Sequence, residues 1–162
     1  MIVNLMRHAL VELSFYIDEG NLRTRAELLR VMLKTYPLLV ISQALLQLLF
    51  VALLWEESNH QHLIYWLSCT YLFHLWELIK WRLDREKVET VRDCRQWSRH
   101  FTSLSLVIGL LWGAAFMFFF PPTLYLQILL VCLMLALAAG AVTMISIHTP
   151  SVYAYLSGIM LP

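Results

Sequence analysis

The last part of this chain, from Phe101 to Pro162, contains no Lys, Arg, Asp or Glu. Across all 162 residues 60% are hydrophobic and only 14% are charged, whereas charged residues make up about 25% of an ordinary soluble domain. A folded chain in water cannot cover so much apolar surface with so few charges, but a bilayer solvates an apolar surface directly. The sequence therefore predicts an all-α, polytopic transmembrane helical bundle.

Four apolar segments are long enough to cross a bilayer, because about 20 residues at 1.5 Å each match a hydrocarbon core of about 30 Å. They are residues 37–55, 62–79, 101–120 and 123–147. A further apolar run, 151–162, is too short to span the membrane. We interpret it as a truncated fifth helix, and the coding sequence beyond Pro162 tests that interpretation.

Residues 1–35 are predicted to form a cytosolic juxtamembrane helical segment, which leaves 36–162 as the transmembrane bundle. Thr24 and Glu27 have the spacing of a helix-capping box, so a helix is expected to start there. Pro37 suits the first turn of the first span, where its missing N–H leaves no hydrogen bond unmade.

The segments between the spans alternate in their content of Lys and Arg. Segment 1–36 has five, 56–61 has none, 80–100 has seven and 121–122 has none. Basic residues flanking membrane spans are retained on the cytoplasmic side. The alternation therefore predicts a multi-pass protein whose N-terminus lies in the cytoplasm.

Glu77 is an acidic residue inside a predicted span, and such a residue is a candidate functional group. One interpretation is that its carboxylate reaches toward the interface and pairs with Lys80 or Arg82. The alternative is a sensing position that faces the bundle. His74 lies one turn earlier on the same helix face, where we expect a hydrogen bond to another helix. A metal or haem site would need comparable ligands on the other spans, so no metal or cofactor is expected.

Two pairs of small residues have the spacing that lets helices pack closely. Gly109 and Gly113 lie on the third span, and Ala136 and Gly140 lie on the fourth. Small side chains allow two backbones to approach where lipid offers no hydrophobic driving force. We expect the third span to pack on the fourth, and a homodimer contact through the transmembrane helices is the alternative.

The chain carries no signature of a catalytic or nucleotide-binding site. A P-loop, a nucleophile elbow, a kinase-type nucleotide site and a zinc-protease helix are all absent from the sequence,. We therefore expect this chain not to be an enzyme. Its expected partner is the lipid bilayer, with no nucleic acid, and the sequence leaves the ligand unknown.

Several short motifs resemble the N-terminal multi-span membrane region of bacterial sensor proteins. They are Arg25 to Leu29 before the first span, Trp97 and Phe101 at the start of the third, Gly109 to Gly113 within it, and Ala139 to Val142 in the fourth. In that family the region precedes histidine kinase or diguanylate cyclase (GGDEF) modules. The resemblance implies a sensory input region in the bacterial cytoplasmic (inner) membrane.

Two other functions remain open from the sequence. A transporter or channel fragment would be expected to show inverted repeats, broken helices or several intramembrane charges. The chain has one acid within a span and no clear repeat, which disfavours this class. A structural membrane subunit that only scaffolds a complex is the third alternative.

Overall fold

A computed structural model describes residues 22–84, 90–145 and 148–161 of the chain. These residues form five α-helices, so the expected all-α fold is confirmed. The helices are α1 Leu22–Leu54, α2 His60–Asp84, α3 Val91–Phe118, α4 Leu124–Ile145 and α5 Thr149–Met160. The first 21 residues of the predicted cytosolic segment lie outside the described part of the chain.

Helix α1 runs without interruption through Pro37, so the prediction that Pro37 lies in the first turn of a helix is wrong. The predicted cytosolic segment up to residue 35 and the first span are continuous in this helix. Proline cannot donate to the carbonyl four residues earlier, which here belongs to Leu33. The indole Nε1 of Trp81, on α2, donates to that carbonyl oxygen at 2.8 Å. A neighbouring helix thus satisfies the backbone group that proline leaves unpaired, as apolar surroundings require.

Helix α3 begins about ten residues before the predicted third span, within the charged segment 80–100. Thr90 is its N-cap, and a complete capping box joins Thr90 to Asp93. The Thr90 hydroxyl accepts from the Asp93 backbone N–H at 3.2 Å, and the Asp93 carboxylate accepts from the Thr90 N–H at 3.0 Å. Thr24 and Glu27, where a capping box was predicted, instead lie within α1.

Helices α3 and α5 run parallel and form the closest helix pair in the described part of the chain. Gly109 faces the backbone of Tyr155 and Gly158, and a Cβ at Gly109 would collide with the Tyr155 carbonyl oxygen. A Cβ at Gly158 would lie 2.7 Å from the Leu106 carbonyl oxygen. Neither glycine can therefore be replaced without separating the two backbones.

The third span was predicted to pack on the fourth, and this prediction is wrong because its close partner is α5. Gly109 does pack against another helix, but that helix is α5, whereas α4 packs against α1 and α5. A Cβ at Gly140 would meet no atom within 4 Å among the described residues. Ala136 is exposed, and Gly113 is buried. The spacing of Ala154 and Gly158 was the overlooked signal for the true partner.

His148 fixes the start of α5 against α3. Its two ring nitrogens lie 2.8 Å from the hydroxyl of Ser98 on α3 and 2.7 Å from the hydroxyl of Ser151 on α5. His148 and Ser151 are fully buried. These hydrogen bonds fix the start of α5, and further along the same helix Gly158 packs against Gly109.

Two helices are long and apolar enough to cross a membrane by length and composition, Ala26–Leu54 within α1 and Arg92–Phe118 within α3. Within α4, Leu124–Gly140 is a shorter apolar helix by the same measure. Helix α2 has 25 residues but does not reach the apolar character that the same measure requires of a span. Length and composition alone therefore support two spans of the four that were predicted.

The middle of helix α2 buries three polar residues and exposes several large apolar ones. Thr70, His74 and Glu77 are buried, whereas Leu72 and Leu75 are 68% and 55% exposed. A helix on the surface of a soluble protein shows the opposite arrangement. Three of its polar side chains therefore lie in the interior of the bundle, where they can contact other helices.

Candidate functional site

The three helices α1, α2 and α3 bring a polar cluster together near the end of the bundle where the basic residues lie. Glu77 on α2 is 2% exposed, and its Oε2 accepts from His100 Nε2, on α3, at 2.9 Å. The hydroxyl of Tyr36, on α1, lies 3.5 Å from the same oxygen. One carboxylate thus contacts side chains from two other helices.

Lys80 completes this cluster through the imidazole of His100. Its Nζ lies 3.1 Å from His100 Nδ1, and an ammonium group can only donate a hydrogen bond. Nδ1 must then accept, so the ring proton lies on Nε2 and is donated to Glu77. A neutral imidazole therefore links the Lys80 cation to the Glu77 anion, and this compensates a charge that would be costly to bury alone.

The interpretation of Glu77 as a carboxylate that reaches toward the interface is wrong, because the group is enclosed by three helices. It is connected to Lys80 only through His100. Sequence reasoning missed His100 as the partner of Glu77. The two residues flank the charged segment 80–100, and an antiparallel pair of helices joined there would bring them to the same level.

His74 makes the hydrogen bond between helices that the sequence predicts. Its Nε2 lies 3.2 Å from the side-chain Nε2 of Gln47 on α1, and both residues are buried. The amide nitrogen donates, so His74 Nε2 accepts and the ring proton lies on Nδ1. Within residues 22–84, 90–145 and 148–161 no three His, Cys, Asp or Glu side chains form a group able to hold a metal ion.

A cavity of about 260 Å³ lies beside the polar cluster, with walls from all five helices. Most of its wall is apolar, with Leu39, Val40, Leu104 and Ile108 among its residues. Tyr36 belongs both to this wall and to the polar cluster. The cavity and the Glu77 carboxylate are thus separated by a single side chain.

The opposite end of the bundle holds a group of packed aromatic rings. Phe50 lies at its centre, with ring centroids 5.2 Å from Trp66, 5.6 Å from Trp112 and 5.8 Å from Phe116. The indole N–H of Trp112 donates to Gln43 Oε1 at 2.8 Å, and that of Trp66 donates to the Leu111 carbonyl at 3.3 Å. These contacts join α1, α2 and α3 away from the basic residues.

Comparisons of the chain with protein-family models, with curated proteins and with solved structures find no match. The features of the chain that bear on function are the polar cluster, the cavity and the arrangement of charge along the sequence.

Proposed function

We propose that this chain is the sensory input region of a bacterial signal-transduction protein, of the kind that controls a histidine kinase or a diguanylate cyclase. The observation that carries the proposal is the buried connection from Glu77 to His100 between α2 and α3. Both helices lead from this connection into the basic segment between them. A shift of one helix against the other would therefore reach the segment that faces the cytoplasm.

The proposal includes four crossings of the bacterial inner membrane with the N-terminus in the cytoplasm. Helices α2 and α4 have 25 and 22 residues, or about 37 and 33 Å, enough for a hydrocarbon core of about 30 Å. The buried polar and exposed apolar residues of α2 support its placement in lipid, where polar side chains face the bundle interior. The alternation of basic segments supports the orientation.

Labelling of single cysteines in intact cells tests this topology. In a variant with Cys69, Cys94 and Cys132 replaced by Ala, Asn59→Cys should react with a membrane-impermeant maleimide in intact cells. Arg92→Cys should react only after the cells are permeabilised. Equal labelling of both positions in intact cells would contradict the orientation.

Signalling is tested by joining the chain to a histidine-kinase output module with a transcriptional reporter. Glu77→Gln retains the shape of the side chain but weakens the hydrogen bond to His100 and leaves Lys80 without its anion. Reporter activity should change at equal abundance in the membrane. Glu57→Gln is the matched control, because Glu57 is exposed between α1 and α2.

The remaining classes give different results in the same cells. A reporter that responds to neither variant would favour a structural subunit over a sensor. Movement of a solute into vesicles that contain only this chain would favour a transporter. We propose that the chain has no catalytic activity of its own, and that the reaction belongs to the output module.

A further inference from the structure

We infer that the cavity beside Tyr36 binds a small lipid-soluble molecule that is mostly apolar and carries one hydrogen-bonding oxygen. This inference rests on the proposed sensory function, since it names the class of signal that the input region receives. It follows from the size of the cavity, from the unused polar groups in its wall and from its position between the lipid and the polar cluster.

The size of the cavity sets the size of the ligand. A dry apolar cavity of about 150 Å³ accepts benzene, so a cavity of about 260 Å³ suits a molecule with roughly two fused rings or an equivalent short chain. The predominantly apolar wall favours a ligand that is itself apolar, as in most small-molecule sites.

Buried polar groups in the wall have hydrogen-bonding capacity that the described residues do not use. Ser105 is buried and lines the cavity, and the buried Tyr155 hydroxyl has no partner in hydrogen-bond geometry among the described residues. Gln43 accepts from Trp112 through Oε1, and its side chain also approaches the Tyr155 hydroxyl. A buried polar group without a partner costs free energy. A ligand oxygen that forms a hydrogen bond here would remove this cost and so make the free energy of binding more favourable.

Access from the lipid is provided by two small residues of α4. Ala136 and Gly140 line the cavity and are also exposed on the outside of the bundle. Ala136 has only a methyl group and Gly140 has no side chain, so few atoms separate the cavity from the outside of the bundle at this place. A molecule dissolved in the bilayer can therefore approach between the helices without passing through water.

The same cavity is connected to the polar cluster. Tyr36 lines it and lies within hydrogen-bond distance of Glu77, and His74 lines it while bonded to Gln47. A ligand that displaces the Tyr36 ring would change the surroundings of the Glu77 carboxylate. This connects occupation of the cavity to the packing of α2 against α3.

The test compares 2-naphthol with naphthalene, two probes of similar shape that differ by one hydroxyl group. The full chain is purified in detergent, and the midpoint of thermal unfolding is followed with increasing probe, because ligand binding to the folded state raises it. We expect 2-naphthol to bind more tightly than naphthalene. Ser105→Leu, which fills the cavity, should abolish stabilisation by both probes.

Ser105→Ala removes the hydroxyl without adding volume, so it remains informative if Ser105→Leu does not fold. It should weaken binding of 2-naphthol roughly three- to tenfold and leave naphthalene unchanged, as expected for one lost hydrogen bond. Ser103→Ala and Ser103→Leu are the matched controls, because Ser103 is exposed on the same helix and should change neither probe.

Equal stabilisation of the wild type and both Ser105 variants would show partition of the probes into detergent only and would overturn the inference. If Ser105→Leu loses probe binding but Glu77→Gln does not change reporter activity, the binding site is supported and the sensory role is contradicted. A reporter that responds to Glu77→Gln, with no specific probe binding, would retain the sensory role and remove the site.

Discussion

Both ends of the bundle contain packed aromatic rings, but only the basic end joins its helices through a buried carboxylate among the described residues. At the basic end, Glu77, His100 and Lys80 are joined by hydrogen bonds of 2.9 and 3.1 Å. At the opposite end, Phe50 packs against Trp66 and Trp112 with ring centroids 5.2 and 5.6 Å away. Aromatic packing tolerates small displacements, whereas hydrogen bonds weaken steeply with angle and distance.

This difference suggests a division of roles along the same helices. The aromatic end holds α1, α2 and α3 at a fixed separation. The basic end adds one buried carboxylate and its imidazole partner to its packed core, so a small shift of α2 there would weaken the hydrogen bond between them. We therefore expect substitutions at the aromatic end to lower stability, and substitutions at the basic end to change signalling.

Trp112→Ala should give the largest loss of stability. Trp112 is fully buried and packs on Phe50 and Phe116. Removal of its indole should lower the free energy of unfolding by about 2–3 kcal/mol, below the 3–5 kcal/mol of soluble cores because detergent also solvates apolar groups. Thermal unfolding in detergent measures the effect. Trp55→Ala, at an exposed tryptophan near the same end, is the control. A loss no greater than that of the control would show that the aromatic end does not stabilise the bundle more than an exposed ring does.

His100→Ala should have an intermediate effect on stability and a large effect on the reporter. It leaves the buried Glu77 carboxylate without its imidazole donor, which costs about 1–3 kcal/mol for an unsatisfied group. The double variant with Glu77→Gln should recover part of this loss, because no charge remains to be compensated. A double-mutant cycle by thermal unfolding measures the coupling, and additive losses would show that the two side chains act independently.

Trp81→Phe should have the smallest effect, about 0.6 kcal/mol, the average of side-chain hydrogen bonds between membrane helices. It removes the indole donor to the Leu33 carbonyl, which Pro37 cannot replace, and retains an aromatic ring. Trp76→Phe is the matched control, since Trp76 is exposed on the same helix. A change of the reporter in Trp81→Phe would show that the contact between α1 and α2 also contributes to signalling at the basic end.

The helical segments were largely predictable, because each is determined by residues that are close together in the sequence. Residues 62–79 and 123–147 correspond closely to α2 and α4, since each apolar run is bounded by polar residues or proline. Pro37 was predicted in the first turn of a helix, where proline is common, but it lies inside α1. Its place inside α1 depends on Trp81, which lies 44 residues later in the sequence.

The candidate site was only half predictable for the same reason. Glu77 and His74 were evident as polar residues in an apolar run, and their spacing places them on one face of a helix. Their partners, His100 and Gln47, lie on other helices. The spacing of Gly109 indicated a close helix contact but could not name the helix, since Ala136–Gly140 and Ala154–Gly158 have the same spacing.

The sequence by itself determined the all-helical class of this protein, the apolar character of its segments and the alternation of basic residues between them. These properties follow from composition and from spacing along one helix. The tertiary structure alone decided that α5 packs on α3, that His100 connects Lys80 to Glu77, and that a cavity remains beside Tyr36. Each of these depends on which helices become neighbours, and the backbones of Gly109 and Gly158 permit that approach at one place in the bundle.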